Sequence, residues 1–317
     1  MIFAYRTLGS RLERLPFDAP LTEAVWVDLY RPQPEQVALV AALGIAVPNL
    51  DDMEEIEISN RLYREDGVDY MTVVLPGQNL EKEQISSPVC LIVAPHVLVT
   101  VRYHSPRPFE TFPDRAGRSM AGCGAVGPVF LGLMEDITGR LADILEASGK
   151  ALDKVSQSVF SSGDKPTKPG VLAAALQDVG REGDVLGRVR LALLTLDRAV
   201  GYYAQTHGKG NAAAAHLKSL ARDIQALEVH GDFLAGRVGL ASDATLGMIN
   251  LVQNSTVRIV SVVAVLFLPP TLIASIYGMN FHVMPELSQT WGYPAALGLM
   301  IASAAGTYFF FRWKNWL

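Results

Sequence analysis

Ile259-Val260-Ser261-Val262-Val263-Ala264-Val265-Leu266-Phe267-Leu268-Pro269-Pro270-Thr271-Leu272-Ile273-Ala274-Ser275-Ile276-Tyr277-Gly278-Met279-Asn280 decides the architecture of this chain. No charged side chain occurs in it, and it matches the roughly 20 residues a helix needs to cross about 30 Å of hydrocarbon. A second uncharged run, Tyr293 to Phe311, follows a short link. Aromatic residues bracket that second run at Trp291, Tyr293, Trp313 and Trp316, as at the interfaces of a bilayer. Both runs are therefore expected to span a membrane. Arg258 precedes the first, Arg312 and Lys314 follow the second, and the link 278–292 has no Lys or Arg. The positive-inside rule then predicts a multi-pass protein of the inner (plasma) membrane with both termini in the cytoplasm and the link outside.

The rest of the 317-residue chain reads as soluble. Up to about residue 118, short β-rich runs alternate with helical stretches. Ile2–Thr7 and Val25–Leu29 read as strands, and Pro34–Leu43 as a helix that opens on proline and is followed by Gly44. Asp66-Gly67 between two β-branched and aromatic runs is a hairpin signal. A second hairpin turns at Pro95-His96. From about residue 125, apolar residues at steps of three and four (Phe130, Leu133, Met134, Ile137, Leu141) predict a long helix. The segment Gly163 to Gly170 breaks that pattern, and a second helix from Val171 to about His207 predicts an antiparallel hairpin. After Gly208-Lys209-Gly210, a third helical stretch runs toward the first span. The expected order is a cytoplasmic α/β domain (1–118), a cytoplasmic helical hairpin (119–210), a stalk helix (211–258), a first transmembrane helix (259–277), an external link (278–292), a second transmembrane helix (293–311) and a basic tail (312–317).

Composition narrows the function. A formal charge of −5, without a basic patch, argues against a nucleic-acid partner. Cys90 and Cys123 have no metal-ligand spacing and read as free thiols. Met1 to Arg6 lacks the charged and apolar regions of a signal peptide. Gly208-Lys209 is followed by Gly210, and position 203 is Tyr203, so no phosphate-binding P-loop is present. No nucleophile and base arrangement marks an active site, and neither an enzyme nor an organic cofactor is expected.

Numbered by sevens, Asn254, Ser261, Leu268 and Ser275 fall on one line of the first span, with Val257, Ala264, Thr271 and Gly278 three residues on. This is a seam of small and polar residues on a helix whose remaining face is large and apolar. Such a seam serves either close helix packing or the lining of a pore shared between copies. Two spans per chain do not enclose a hydrated path alone, so a pore requires a symmetric oligomer. Pro269-Pro270 beside Leu268 give either a static kink or a hinge.

Gly278-Met279-Asn280, its context from Ile276 to Phe281, and the following Met284-Pro285-Glu286-Leu287 resemble the CorA family of divalent-cation channels, chiefly magnesium transporters. The resemblance is strong from about residue 217 to the C-terminus and looser upstream. It implies a homopentamer whose first span lines the conduction path, so that Asn254, Leu268, Thr271, Gly278 and Asn280 face it. Gly278, Met279 and Asn280 then form the ion-binding selectivity ring, with Glu286 in the external loop and Leu268 as the gate. Mg2+ holds six waters tightly, so amide and carbonyl oxygens suffice to bind the hydrated ion. The resemblance also implies gating by intracellular Mg2+ at acidic regulatory sites, for which Asp223 and Asp232 in the stalk are candidates. The acidic run Asp51 to Glu57 reads either as a solvated helix face or as part of such a site. Co2+ or Ni2+ are expected to share the path. Transport of zinc or another transition metal, and a membrane-anchored scaffold without transport, are the alternative functions. The chain departs from the family's pattern in its glycine-rich stalk, in Ser288-Gln289-Thr290 with Glu286 the link's sole acid, and in the short basic ending Arg312-Trp313-Lys314.

Overall fold

A computed structural model describes residues 1–16, 18–119, 121–160, 168–207, 211–279 and 284–314. The sequence-predicted break at 163–167 and the punctuation Gly208-Lys209-Gly210 lie outside these residues, as do Asn280 and Trp316. The described chain divides into two compact units, Met1–Ser156 with Gln177–Ala241, and Gln157–Leu176 with Ser242–Leu317.

The first unit is built on a sheet. Its strands are β1 (Ile2–Leu8), β2 (Arg11–Arg14), β3 (Trp26–Tyr30), β4 (Leu62–Glu65), β5 (Val68–Gln78), β6 (Gln84–Val93) and β7 (Leu98–Arg102). Their order is β2-β1-β3-β7-β6-β5-β4, antiparallel except where β3 lies parallel to β7. The helices α1 (Pro34–Ala41), α2 (Leu50–Glu54) and α3 (Ile58–Arg61) fall between β3 and β4, and α4 (Pro108–Arg115) follows β7. Both expected hairpins form. At the first, Asp66 and Gly67 take φ of 48° and 84°, the doubly left-handed turn that Asp-Gly favours because glycine adopts it without strain.

Alternation along the strands sends side chains to two cores. Trp26, Met71, Val73, Leu91 and Leu98 join Phe109, Phe112, Phe130 and Leu193 of the helices on one face. Val27, Leu29, Cys90, Ile92 and Val99 join Val40 and Met53 on the other. At the sheet's centre Asp28 and Arg102 are buried together, with Arg102 Nη2 2.9 Å from Asp28 Oδ2. Trp26 Nε1 donates to Thr100 Oγ1, which donates to Asp28 Oδ1 at 2.8 Å. Each charge is thus hydrogen-bonded, which burial demands. Cys90 and Cys123 are free and buried, and burial pushes the Cys90 thiol up to about 12.

Three long helices follow: α5 (Val126–Phe160), α6 (Pro169–His207) and α7 (Asn211–Tyr277). Helix α7 is 67 residues long and unbroken through Gly231, Gly236, Gly239 and Gly247, so the stalk and the first span are one element. After a 3-10 turn at Pro285–Ser288, α8 (Gly292–Trp313) forms the second apolar helix.

Candidate ion-conduction site

The first span is the C-terminal part of α7. Val262 is buried there, and Val252, Ser255, Leu266, Pro269, Pro270, Ile273 and Tyr277 are half-buried. The seam residues Asn254, Val257, Ser261, Ala264, Leu268, Thr271 and Ser275 are all exposed, Leu268 to 62%. At about 100° per residue, the mean directions of these two sets differ by roughly 160°. The chain therefore covers one side of its first span with its own atoms and leaves the small and polar seam bare on the opposite side, together with large apolar residues such as Val260, Val263, Phe267 and Leu272. Helix α8 has a covered side too, running through Gly292, Ala296, Met300, Ser303, Thr307 and Phe311, where small residues allow close approach of backbones. Its hydroxyls are satisfied internally, with Ser303 Oγ donating to the Met300 carbonyl and Thr307 Oγ1 to that of Ser303.

Pro269 and Pro270 lack N–H groups, so the carbonyls of Val265 and Leu266 lose their intrahelical donors. Thr271 Oγ1 folds back to the carbonyls of Phe267 and Leu268, 2.9 Å from each. The seam thus has oxygen-rich backbone next to its bulkiest apolar member.

Helix α7 ends at the motif. Gly278 N–H donates to the Ala274 carbonyl at 2.9 Å, and Met279 N–H to that of Ile276 at 3.3 Å, tightening the last turn. Gly278 and Met279 are exposed at the helix end, and Asn280 lies outside the described residues. Glu286 is exposed in the 3-10 turn before α8, where Ser288 Oγ donates to the Pro285 carbonyl at 2.7 Å. Gly292 is required there, because a Cβ would run into the Glu286 carbonyl. Sequence reading passed over Gly292, although a glycine at the start of an apolar run was the available signal.

Of the regulatory candidates, Asp223 is exposed on α7, and Asp232 is 2.8 Å from Arg190. Burial, then Asp197 and Asp232, push the Glu228 carboxyl up. Among the described residues no group of three or more His, Cys, Asp or Glu side chains is placed to hold a metal ion within one chain. The acidic run has local duties. Asn49 and Asp52 cap α2 reciprocally, Met53 is buried, and Glu55 bonds Asn60 through its carboxylate and Arg61 through its carbonyl. Its other carboxylates are solvated.

A mixed-sheet domain and long helices, of which the last two, α7 and α8, are long and apolar enough to span a bilayer, define the class: a two-span membrane protein with a large extramembrane part. The family model for the CorA-like Mg2+ transporter protein matches residues 22–313. The chain is 31% identical to the magnesium transport protein CorA of Escherichia coli strain K12, over the full length of both. It is 32% identical, again over both full lengths, to that of Pasteurella multocida strain Pm70. The solved CorA magnesium transporter of Methanocaldococcus jannaschii shares its fold, with a TM-score of 0.75 at 17% identity over 100% of this chain and 99% of that one. The chain belongs to the CorA family of Mg2+ transporters.

Proposed function

We propose that this chain is the protomer of a homopentameric inner-membrane channel that admits hydrated Mg2+ down its electrochemical gradient, both termini being cytoplasmic. The observation that carries the reading is the bare seam. Asn254, Val257, Ser261, Ala264, Leu268, Thr271 and Ser275 form a continuous line, and it lies on the side of α7 that the chain leaves uncovered. Five such lines around an axis enclose a path with amide oxygens at its inner end and the Gly278-Met279-Asn280 ring at its outer one. A polar line of this kind is costly against lipid and favourable against water.

In this reading Asn280 and the Gly278 carbonyl bind the ion through its waters, strongly enough to select it and weakly enough to release it. Glu286 draws cations to the mouth. Leu268 closes the path by dewetting when intracellular Mg2+ occupies acidic sites between protomers, with Asp223 and Asp232 as candidates. The energy source is the membrane potential: about 2.3 kcal/mol per charge per 100 mV, hence roughly twice that for Mg2+. Co2+ and Ni2+ share the path.

Flux into proteoliposomes tests it. Asn280→Ala lowers Mg2+ entry roughly tenfold or more, since a tenfold change is about 1.4 kcal/mol and one hydrogen-bonded ligand per protomer is lost. Unchanged entry would sink the selectivity role. Zn2+ that outcompetes Mg2+ in the same assay would assign a transition metal as cargo instead, and the absence of flux of any divalent ion would leave a scaffold.

A further inference from the structure

The first unit has a concave pocket of about 560 Å³ between α4, the turn Ala116–Arg118 and the middle of α5. That volume lies within the range of small-molecule sites. Arg107, Arg115, Arg118 and Arg140 line it. Glu135, Asp136 and Asp143 line it as well, and the first two already have partners. Asp136 accepts from Thr111 Oγ1 at 3.0 Å and from Arg115 at 3.3 Å. Glu135 accepts from Ser119 Oγ at 2.8 Å and lies 2.8 Å from His216 Nε2 of α7. Among the described residues, Arg107, Arg118 and Arg140 have no carboxylate within ion-pair distance. Buried Phe112 and Gly132 form the floor, and a Cβ at position 132 would press against the Phe112 ring and Ser119 Oγ, each at 3.0 Å.

Three guanidinium groups without ion-pair partners, from the residue before α4, the turn Ala116–Arg118 and α5, thus border one hollow, in a chain whose formal charge is −5. An anion carrying more than one negative charge is attracted by several guanidinium groups at once. The guanidinium fork matches phosphate oxygens in pairs, which a single carboxylate ligand would not extend to three arginines. We propose that this hollow binds a phosphorylated small molecule through Arg107, Arg118 and Arg140. The source is either a nucleotide or a free polyphosphate, and both present the same oxygens. Through Glu135 and His216 the wall of the site is tied directly to α7, the helix that continues into the first span.

The test is calorimetric titration of the full-length chain in detergent, at low salt and without Mg2+, with ATP, pyrophosphate and inorganic phosphate in turn. Pyrophosphate binds, and the variant Arg118→Gln/Arg140→Gln weakens it roughly tenfold or more, while Arg222→Gln, on an exposed part of α7, leaves it unchanged. Gly132→Ala, which keeps every arginine, weakens it as well by crowding the floor. ATP binding more tightly than pyrophosphate assigns a nucleotide, and equal binding assigns the phosphates alone. Absence of binding by all three, or an equal loss in Arg222→Gln, overturns the proposal. So does a double variant that falls apart into smaller assemblies while none of the three binds the parent, since the arginines would then join copies of the chain.

Discussion

His104 is buried to 1% exposure, with Nε2 2.9 Å from the Leu75 carbonyl and no partner at Nδ1 among the described residues. A neutral ring protonated on Nε2 satisfies that geometry, whereas a charged ring would leave an Nδ1–H without an acceptor. Burial accordingly pushes its pKa down to about 4 from 6.5. Between those values the unfolded chain binds a proton that the native one refuses, so stability is complete above pH 6.5 and declines as pH falls toward 4. The loss is about 2 kcal/mol at pH 5 and about 3 kcal/mol at its limit. Melting temperature in detergent at pH 7 and pH 5 checks this. The parent loses more on acidification than His104→Gln, whose amide keeps the bond to Leu75; equal losses would refute the assignment. Nothing in the sequence marks His104 for this role, because its ring is placed by β5, against the Leu75 carbonyl and Gly77.

At the scale of the element, α7 was the most legible part. Its seven-residue seam needs only helical periodicity, and the apolar run supplies the helix. The proline pair was legible as well, but not its consequence: two carbonyls without donors beside Leu268, with Thr271 folded back onto the neighbouring turn. If Leu268 closes the path by excluding water, Leu268→Ser wets the constriction. Mg2+ entry then continues at internal Mg2+ concentrations that shut the parent, roughly tenfold faster, corresponding to about 1.4 kcal/mol off the barrier. A fluorescent Mg2+ indicator inside liposomes reads the difference, and a variant that shuts like the parent removes Leu268 as the gate.

For the molecule as a whole, the proposed pore requires copies of the chain, because two spans do not enclose a hydrated path. Native mass spectrometry of the detergent-solubilised protein is expected to give an assembly of five 34.4 kDa chains. A monomer would leave the seam facing lipid and end the pore reading. The order of parts, from sheet domain to long helices to spans, follows from local periods of two and 3.6 and was readable along the chain. Sheet order was not, because the parallel pairing of β3 with β7 joins residues 72 apart, as Asp28 and Thr100 illustrate. The arginine-lined hollow was equally hidden, since Arg107, Arg118 and Arg140 lie on three separate segments and share no motif.

The sequence by itself determined that two apolar helices end the chain, that Gly278-Met279-Asn280 follows the first, and that one side of that helix is small and polar. Each of these depends on composition and spacing within a single segment, where chain geometry alone sets which residues are neighbours. Tertiary structure decided which side of the first span stays bare, which of the acidic residues are held by arginine, and which arginines have no carboxylate beside them. These are matters of burial and pairing between distant segments, and only packing brings such residues within reach of one another.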